Sequence, residues 1–238
     1  MSKFIIKNLE KTFKNKNLNN TLFKDINLEI STEKITVVLG KSGCGKTTLL
    51  RIIAGLEKPS FGTVEYLDDN KNKDYKIGFV FQESRLMPWL SVEDNIKIHD
   101  TKNKISSSDI DRFLELVSLK DCKNLFPNAL SGGMSNRVAI ARALAYNPDI
   151  LLMDEPFSAL DYFTRKNLQQ TLIEIFKNTK KGIIFVTHDI DEAITIANDI
   201  IVITEEKFKT FTIKDPQPKD IDKLEFLKLK KEIKELLK

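Results

Sequence analysis

The sequence predicts an α/β fold in which a mostly parallel sheet carries a phosphate-binding loop. Two observations lead to this prediction. Apolar, strand-like runs alternate with helical segments over much of the 238-residue chain, which is the order expected of a parallel sheet with helices on its faces. In addition, residues 40–48 read GKSGCGKTT and match the phosphate-loop pattern G-x-x-x-x-G-K-[ST].

The first part of the chain is predicted to consist mainly of strands. Strand-like apolar residues occur at 3–13, 22–30, 35–39 and 62–66. The third of these strands runs directly into the GKSGCGKTT loop, and residues 48–54 read as a helix that leaves it. The polar run 68–74 is expected to be an exposed turn.

The middle of the chain is predicted to contain a helical insertion. Residues 77–81 read as one more buried strand, but from about residue 84 to 146 there is no strong strand signal. The helical candidates in that stretch are 92–98, 108–118 and 134–146. Strand and helix then alternate again, at 150–153, about 162–178, 183–186, 189–197 and 200–204. Parallel-sheet alternation therefore surrounds the insertion.

The C-terminal stretch from Lys219 to Lys238 is rich in lysine and has apolar residues at helical spacing. These are Ile221, Leu224, Leu227, Ile233, Leu236 and Leu237. An amphipathic helix of this kind could bind a membrane surface or a partner. We expect instead a helix that packs on its own domain, after a break at Pro216 and Pro218.

The composition argues against several classes of protein. The chain has 38 basic and 34 acidic residues, a net charge of +4, and this mixed charge favours a solvated surface over nucleic-acid binding. No apolar run approaches the roughly 18 residues that span a bilayer, and no signal peptide is recognised at the N-terminus. Cys44 and Cys122 lack metal-ligand spacing, so we expect a reducing, cytosolic location.

The GKSGCGKTT loop supplies what phosphate binding requires. Small residues let backbone N–H groups surround the phosphates, and the N-terminus of the following helix adds positive potential. Lys46 is expected to reach the β- and γ-phosphates of a nucleotide, and the Thr47 hydroxyl to ligate Mg²⁺. A plain glycine turn is the alternative, and three glycines in register with Lys and Thr argue against it.

Two carboxylates, Asp154 and Glu155, follow the apolar strand Ile150–Met153. A carboxylate at this strand end can orient Mg²⁺ and its waters, which suits Asp154. The next residue, Glu155, suits polarisation of an attacking water. A surface acidic pair that caps the following helix is the alternative, and the phosphate loop in the same chain favours the catalytic interpretation.

A second anion-binding turn precedes the helix around 134–146. Ser131, Gly132 and Gly133 stand at its N-terminus, and such a turn can bind a phosphate through backbone N–H groups. Taken alone, a Ser-Gly-Gly sequence is more often an ordinary N-cap and loop. Two phosphate-binding helix ends in one chain indicate a composite site.

Together these motifs resemble those of ABC-transporter ATPase subunits. The resemblance rests on Gly40–Thr48, Gln82, Leu130–Met134, Leu151–Glu155, Ser158–Asp161 and His188, which occur in the family's order and cover roughly residues 3 to 205. It implies a P-loop NTPase core sheet with an antiparallel β subdomain and an inserted helical subdomain. The implied domains are an ATPase domain, 1–205, with the helical subdomain at about 84–146, and a C-terminal strand and helix extension, 206–238.

The resemblance also implies roles for single residues. The ATP-binding loop would comprise Gly40, Lys41, Ser42, Gly43, Cys44, Gly45, Lys46, Thr47 and Thr48. Phe13 would stack on adenine, although a core strand residue is the alternative. Gln82 would contact the metal and the attacking water. The switch histidine, His188, would touch the γ-phosphate, whereas His99 matches no family motif.

Other implied roles lie at a dimer interface. Ser131, Gly132 and Gly133 would bind the γ-phosphate of ATP held by a second subunit, and Asp161 would lie at the same interface. The sequence departs from the family after Gly133, because Met134 replaces the usual Gln and Ser135-Asn136 replaces the more usual Arg-Gln pair. These departures affect contacts near the second phosphate site.

The segments Val80–Trp89 and Met153–Asp161 are similar to the nitrate, sulfonate and taurine branch of bacterial importers, which also includes thiamine-precursor importers. The resemblance therefore implies the ATP-hydrolysing subunit of an importer, with ATP and Mg²⁺ as ligands. It would form a head-to-tail homodimer, peripheral to the cytoplasmic face of the membrane. Its partners would be permease subunits and, indirectly, an extracytoplasmic solute-binding protein, but no nucleic acid.

The permease contact is expected near Gln82 to Leu90, through exposed Met87, Pro88, Trp89 and Leu90. Local packing of the helical insertion is the alternative for these residues. Two other functions are the alternatives. One is a soluble ABC ATPase in cofactor assembly, which the size of the chain leaves open but against which the Pro88-Trp89 segment argues. The other is a nucleotide-binding scaffold without turnover, against which the complete set Lys46, Asp154, Glu155 and His188 argues.

Overall fold

A computed structural model describes residues 2–15, 18–68, 75–102, 104–157, 160–204, 208–213 and 222–237. The strands are β1 (Lys3–Asn15), β2 (Leu18–Ser31), β3 (Ile35–Gly40), β4 (Phe61–Leu67), β5 (Ile77–Val80), β6 (Ile150–Asp154), β7 (Gly182–Thr187), β8 (Asp199–Ile203) and β9 (Phe208–Thr212). The helices are α1 (Lys46–Ile53), α2 (Val92–Lys97), α3 (Ser107–Leu116), α4 (Gly132–Ala145), α5 (Tyr162–Thr179), α6 (Ile190–Ile196) and α7 (Leu224–Leu236). Short 3₁₀ turns occupy Lys120–Cys122 and Pro127–Ala129.

The chain divides into two compact units. The first unit comprises Met1–Tyr75 and Gly182–Lys238, and the second unit comprises Lys76–Lys181. The predicted α/β class is confirmed, and the predicted strands and helices lie within a few residues of those observed. The helix after the phosphate loop begins at Lys46 rather than at residue 48, because the Lys and Thr of the loop already form its first turn.

The first unit contains two arrangements of strands. One is an antiparallel sheet of order β2-β1-β4, interrupted by register irregularities in β1. In the other, β3 pairs in parallel with β7 on one side and β8 on the other, and β9 pairs antiparallel with β8. Every residue of β3 and β7 is buried, as expected of parallel strands covered on both faces.

The second unit combines the parallel pair β5-β6 with four helices, α2 to α5. Helix α4 packs against α2, α3 and β5. Of the described residues between Phe81 and Asp149, none lies in a strand, in agreement with the predicted helical stretch.

The C-terminal helix α7 packs against α6 of the same unit. Phe226 and Ile233 are its buried residues, so the expectation of a helix packed on its own domain is confirmed. Of the apolar residues of this helix, Leu224 and Leu227 are exposed, and the two buried residues lie seven positions apart. Ile221, Pro216 and Pro218 lie outside the described residues, as does most of the predicted turn 68–74.

None of the helices within the described ranges has the length and apolar character needed to cross a membrane.

Candidate nucleotide site

The phosphate loop connects β3 to α1 in the first unit. Gly43 and Gly45 have φ angles of 81° and 98°, in the left-handed region that favours glycine. Gly45 is the N-cap residue of α1 and supplies no side-chain cap. The backbone therefore turns sharply from the glycine-rich loop into the N-terminus of α1, an arrangement that binds phosphate in other proteins.

Lys46 bridges two carbonyl groups of its own loop. Its Nζ donates to the carbonyl oxygen of Gly40 at 3.0 Å and to that of Lys41 at 2.9 Å. The residue is only 5% exposed. A buried ammonium group is thus held at the loop, where it adds positive charge to that of the helix N-terminus.

One aromatic side chain, that of Phe23, lies beside the same loop. A Cβ atom at Gly45 would come within 3.1 Å of the Phe23 ring and within 3.3 Å of the Leu22 side chain. The neighbouring strand β1 carries Phe13, which pairs with Asn20 of β2. The Phe13 ring is 43% exposed, which argues against the alternative of a core residue.

A buried lysine supports the Phe13 ring. Nζ of Lys11 lies 4.7 Å from the ring centroid, within cation–π range. The same ammonium pairs with Oε1 of Glu57 at 2.5 Å and donates to the carbonyl oxygen of Lys58 at 2.7 Å. Sequence reasoning missed Lys11, because lysine at alternate strand positions gives no signal of burial.

His188 follows β7 directly and is exposed. In the parallel β3-β7 pair Thr187 lies opposite Leu39, the residue before the phosphate loop begins. Since carboxyl ends of parallel strands meet at one edge of a sheet, His188 and the loop share that edge. Phe13, Lys46 and His188 all belong to the first unit, and Lys46 and His188 follow the carboxyl ends of the neighbouring strands β3 and β7.

The predicted carboxylates lie at the corresponding edge of the second unit. Asp154 is the last residue of β6 and is 3% exposed, and Glu155 follows it. The parallel neighbour β5 ends at Val80, opposite Met153, so Gln82 lies at the same edge. Glu155 has a φ of 43°, a conformation that bulky residues seldom adopt and that occurs preferentially where function or tight contacts require it.

The Ser-Gly-Gly turn is the N-terminus of α4. The Ser131 hydroxyl accepts a 3.2 Å hydrogen bond from the backbone N–H of Met134, and Gly132 is exposed. A Cβ atom at Gly133 would lie 2.7 Å from Cγ2 of Thr164 on α5. The absence of a side chain at Gly133 therefore allows close approach of the two helices.

Asp161 caps the N-terminus of α5. One carboxylate oxygen accepts from the backbone N–H groups of Phe163 at 3.0 Å and Thr164 at 3.1 Å. The Thr164 hydroxyl and, next, its backbone N–H lower the pKa of the exposed Asp161 carboxyl by hydrogen bonding to its charged form. Ser131 and Asp161 thus cap two helices that meet at Gly133, whereas Ser158 and Ala159 lie outside the described residues.

Asn136, one of the departures from the family pattern, has a defined contact in the second unit. Its side-chain amide donates to the carbonyl oxygen of Pro156 at 2.7 Å, and the residue is buried. The sequence marked Asn136 as unusual but could not give its partner, which lies twenty residues further along the chain.

Each predicted magnesium ligand has a chemically suitable oxygen, Thr47 in the first unit and Gln82 and Asp154 in the second. Thr47, Gln82 and Asp154 offer hydroxyl, amide and carboxylate oxygens, the hard donors that Mg²⁺ prefers. No group of three His, Cys, Asp or Glu residues comes together in the part of the chain that the structure describes. That is compatible with Mg²⁺ carried by a nucleotide, because such an ion takes only one or two carboxylates besides phosphates and water.

Comparison with known proteins identifies the family. A family model described as "ABC transporter" matches residues 23–158. The aliphatic sulfonates import ATP-binding protein of Bacillus subtilis is 45% identical over 196 residues, covering 82% of this chain and 77% of that protein. Its counterpart in Pseudomonas syringae is 47% identical and covers 77% of this chain and 76% of that protein.

An uncharacterised ABC transporter ATP-binding protein of Methanocaldococcus jannaschii is 40% identical and covers 99% of this chain and 91% of that protein. Among solved structures, a dimeric ATP-binding cassette in a post-hydrolysis state with ADP and Pi has a TM-score of 0.77. It is 33% identical, and the match covers 90% of this chain and 100% of that one.

These relatives confirm the P-loop NTPase fold and the resemblance to the sulfonate importer branch. They favour an importer subunit over the soluble cofactor-assembly ATPase that the sequence left open. The chain therefore belongs to the ABC transporter family, as an ATP-binding subunit that hydrolyses ATP.

Proposed function

We propose that this chain powers a bacterial importer of aliphatic sulfonates or a similar small solute. The observation that carries the proposal is the 45% identity to a sulfonate-import subunit over 82% of the chain. Nitrate, taurine and a thiamine-precursor pyrimidine are the other cargoes of the branch that the sequence resembles. The cargo itself would be selected by a permease and a binding protein.

In the proposed reaction, a water oxygen bonds to the γ-phosphorus of ATP as the bridging bond to the β-phosphate breaks, which yields ADP and phosphate. Glu155 would orient the water and accept its proton. Lys46 and His188 would stabilise charge on the γ-phosphate oxygens, and Gln82 would help to place the water. Bound Mg²⁺, held by Thr47, Asp154 and Gln82, would neutralise charge on the β- and γ-phosphate oxygens.

We infer that two copies pair head to tail. The exposed Ser131-Gly132 turn would then bind the γ-phosphate of ATP on the partner subunit through the N-terminus of α4, with Asp161 at the same interface. A dimeric ABC cassette among the structural relatives supports this arrangement. In a monomer these helix ends have no such ligand, so hydrolysis would depend on dimer formation.

The segment 82–90 of the second unit is the proposed permease contact. Trp89 is 71% exposed and Pro88 is exposed, whereas Met87 and Leu90 are half-buried. An exposed tryptophan suits a protein interface, where its large ring adds binding energy on burial. Of the four residues that were predicted to be exposed, Pro88 and Trp89 are therefore the most accessible to a partner.

Polar side chains of α2 and α4 hold this segment in place. The side chain of Asn95, which is fully buried, accepts from the N–H of Met87 at 2.8 Å and donates to the carbonyl oxygens of Met87, Leu90 and Ser91 at 3.0–3.1 Å. Arg142 donates to the carbonyl oxygens of Ser84 and Arg85 at 2.7 and 2.9 Å. Burial lowers the pKa of the Arg142 guanidinium group.

A segment whose backbone is held by hydrogen bonds suits a docking surface, because less conformational entropy is lost when it binds a partner.

Two experiments test the proposal. Deletion of the gene from its host should abolish growth on an aliphatic sulfonate as the only sulfur source but not on sulfate. The intact gene should restore growth, and a Glu155→Gln copy should not. Normal growth of the deletion strain on sulfonates would contradict the cargo.

The second experiment is a pull-down of tagged Glu155→Gln protein, with ATP, from solubilised native membranes. It should recover a multi-spanning permease, because the variant would hold ATP without turnover. Recovery of only soluble partners would contradict the transport function and favour a soluble ATPase.

A further inference from the structure

A chain of hydrogen bonds fixes both residues that flank His188. The backbone N–H of Asp189 donates to the Thr187 hydroxyl oxygen at 3.1 Å. That hydroxyl donates to Oε2 of Glu192 at 2.6 Å. Thr187 ends β7 and Glu192 lies in the first turn of α6, so the chain joins a strand to a helix across the histidine.

The directions of these bonds follow from the chemistry of the groups. The backbone N–H of Asp189 can only donate, so the Thr187 oxygen accepts from it and the Thr187 proton is left to point to Glu192. Thr187 and Glu192 are 3% and 6% exposed. In such surroundings the bonds of one chain polarise and strengthen each other. These buried hydrogen bonds therefore fix the backbone geometry of the turn that carries His188.

An ordinary helix cap does not have this form. Asp189 is the N-cap residue of α6, and its carboxylate accepts from the backbone N–H groups of Asp191 at 2.8 Å and Glu192 at 3.2 Å. In a capping box the acidic side chain three residues on would bond directly to the N–H of the N-cap residue. Here the Thr187 hydroxyl lies between the Asp189 N–H and the Glu192 carboxylate, so the capping hydrogen bonds include the last residue of β7.

We infer that Glu192 is a positioning residue for His188. Its buried carboxylate orders Thr187 and Asp189, and these two residues present the exposed imidazole at the sheet edge that also carries the phosphate loop. The inference rests on the proposed role of His188 in hydrolysis. Loss of the carboxylate would let the turn relax, so that the imidazole no longer meets the γ-phosphate although ATP still binds to the loop.

The two histidines of the chain, His99 and His188, make a direct test possible. In protein labelled with ¹⁵N only in histidine rings, the NMR signals fall into two sets, and His188→Ala identifies the set of His188. Thr187→Val keeps the size of the side chain and removes the hydroxyl, and Glu192→Gln keeps the size and removes the charge. Both should shift or broaden the His188 set and leave the His99 set unchanged.

Two further variants serve as controls. Thr187→Ser keeps the hydroxyl and should keep the wild-type His188 signals. Asp191→Asn changes a neighbouring carboxylate of α6 that pairs instead with Lys230 of α7 at 2.5 Å, and should also leave them unchanged. The kcat of ATP hydrolysis should fall roughly tenfold to a hundredfold in Thr187→Val, with little change in the affinity for ATP.

Unchanged His188 signals in both Thr187→Val and Glu192→Gln would overturn the inference. Equal changes in both histidine sets, with loss of ATP affinity, would also overturn it, because they indicate general support of the fold. The proposed role of His188 is tested separately: full hydrolysis by His188→Ala would remove that role, while the NMR signals would still decide whether Glu192 positions the ring.

Discussion

The side-chain amide of Asn136 donates a 2.7 Å hydrogen bond to the carbonyl oxygen of Pro156, the residue that follows Glu155. Both partners are buried. Glu155 itself has a φ of 43°, and non-glycine residues keep such angles where the surroundings hold them. The bond therefore ties the first turns of α4 to the turn that displays the proposed catalytic carboxylate.

Replacement of Asn136 by Ala should lower the free energy of unfolding by about 1–3 kcal/mol, because the buried Pro156 carbonyl would lose its partner. The turn at Glu155 would also loosen, so hydrolysis should fall while the affinity for ATP is kept. Denaturant unfolding and steady-state ATPase assays measure the two effects. Ser135→Ala, at the adjacent half-buried position, is the control, and wild-type behaviour of Asn136→Ala would refute the role.

Trp89→Ala should leave ATP hydrolysis by the isolated subunit intact but weaken its assembly with the permease. The ring is 71% exposed, so its removal costs the folded subunit little. Co-purification with the permease measures assembly. Phe126→Ala removes another exposed ring of the second unit and should have no effect. Equal assembly by the two variants would count against a contact at Trp89.

Phe13→Ala should weaken ATP binding roughly 5- to 150-fold, since stacking of an aromatic ring on a base contributes about 1–3 kcal/mol. Binding of inorganic tripolyphosphate, which has no base, should stay unchanged. Titration calorimetry measures both affinities. Phe61→Ala, which removes an exposed ring from β4 of the same sheet, is the matched control. An equal loss for ATP and tripolyphosphate would show that Phe13 does not act on adenine.

Gly132 and Gly133 should respond differently to replacement by Ala. A Cβ atom at Gly132 meets nothing within 4 Å, whereas one at Gly133 meets Thr164 at 2.7 Å. Gly132→Ala should therefore change stability by no more than about 0.5 kcal/mol, and Gly133→Ala should destabilise by about 1–3 kcal/mol. Thermal unfolding of the two variants checks this order.

The proposed dimer leads to a second prediction for Gly132→Ala, the variant that should keep its stability. Gly132→Ala should reduce ATP hydrolysis, because the exposed turn would meet the γ-phosphate on the partner subunit. Full hydrolysis by this variant would indicate that the turn is an ordinary helix cap.

Much of the fold could be predicted because each element has a local signal. The buried runs of β3 and β7 are continuous apolar sequences, and Ser131 and Asp161 precede their helices as good N-cap residues do. The phosphate loop is equally local, since its motif contains both the glycines and the lysine. These features need no knowledge of residues distant in the sequence.

Other features depend on contacts that the sequence does not display. Asn95, Asn136 and Glu192 are polar residues buried by tertiary packing, and their partners follow only from the folded chain. The positive φ of Glu155 likewise has no sequence signal, because glutamate seldom adopts it. Which apolar residues of α7 are buried likewise depends on its packing against α6.

The catalytic role of Glu155 is the central claim, and steady-state hydrolysis by Glu155→Gln tests it most directly. Gln has almost the same size but cannot accept a proton from water. We expect turnover to be nearly abolished, with ATP still bound at close to wild-type affinity and an ATP-dependent dimer trapped. Near-normal turnover by this variant would contradict the assignment of Glu155 as the residue that activates the water.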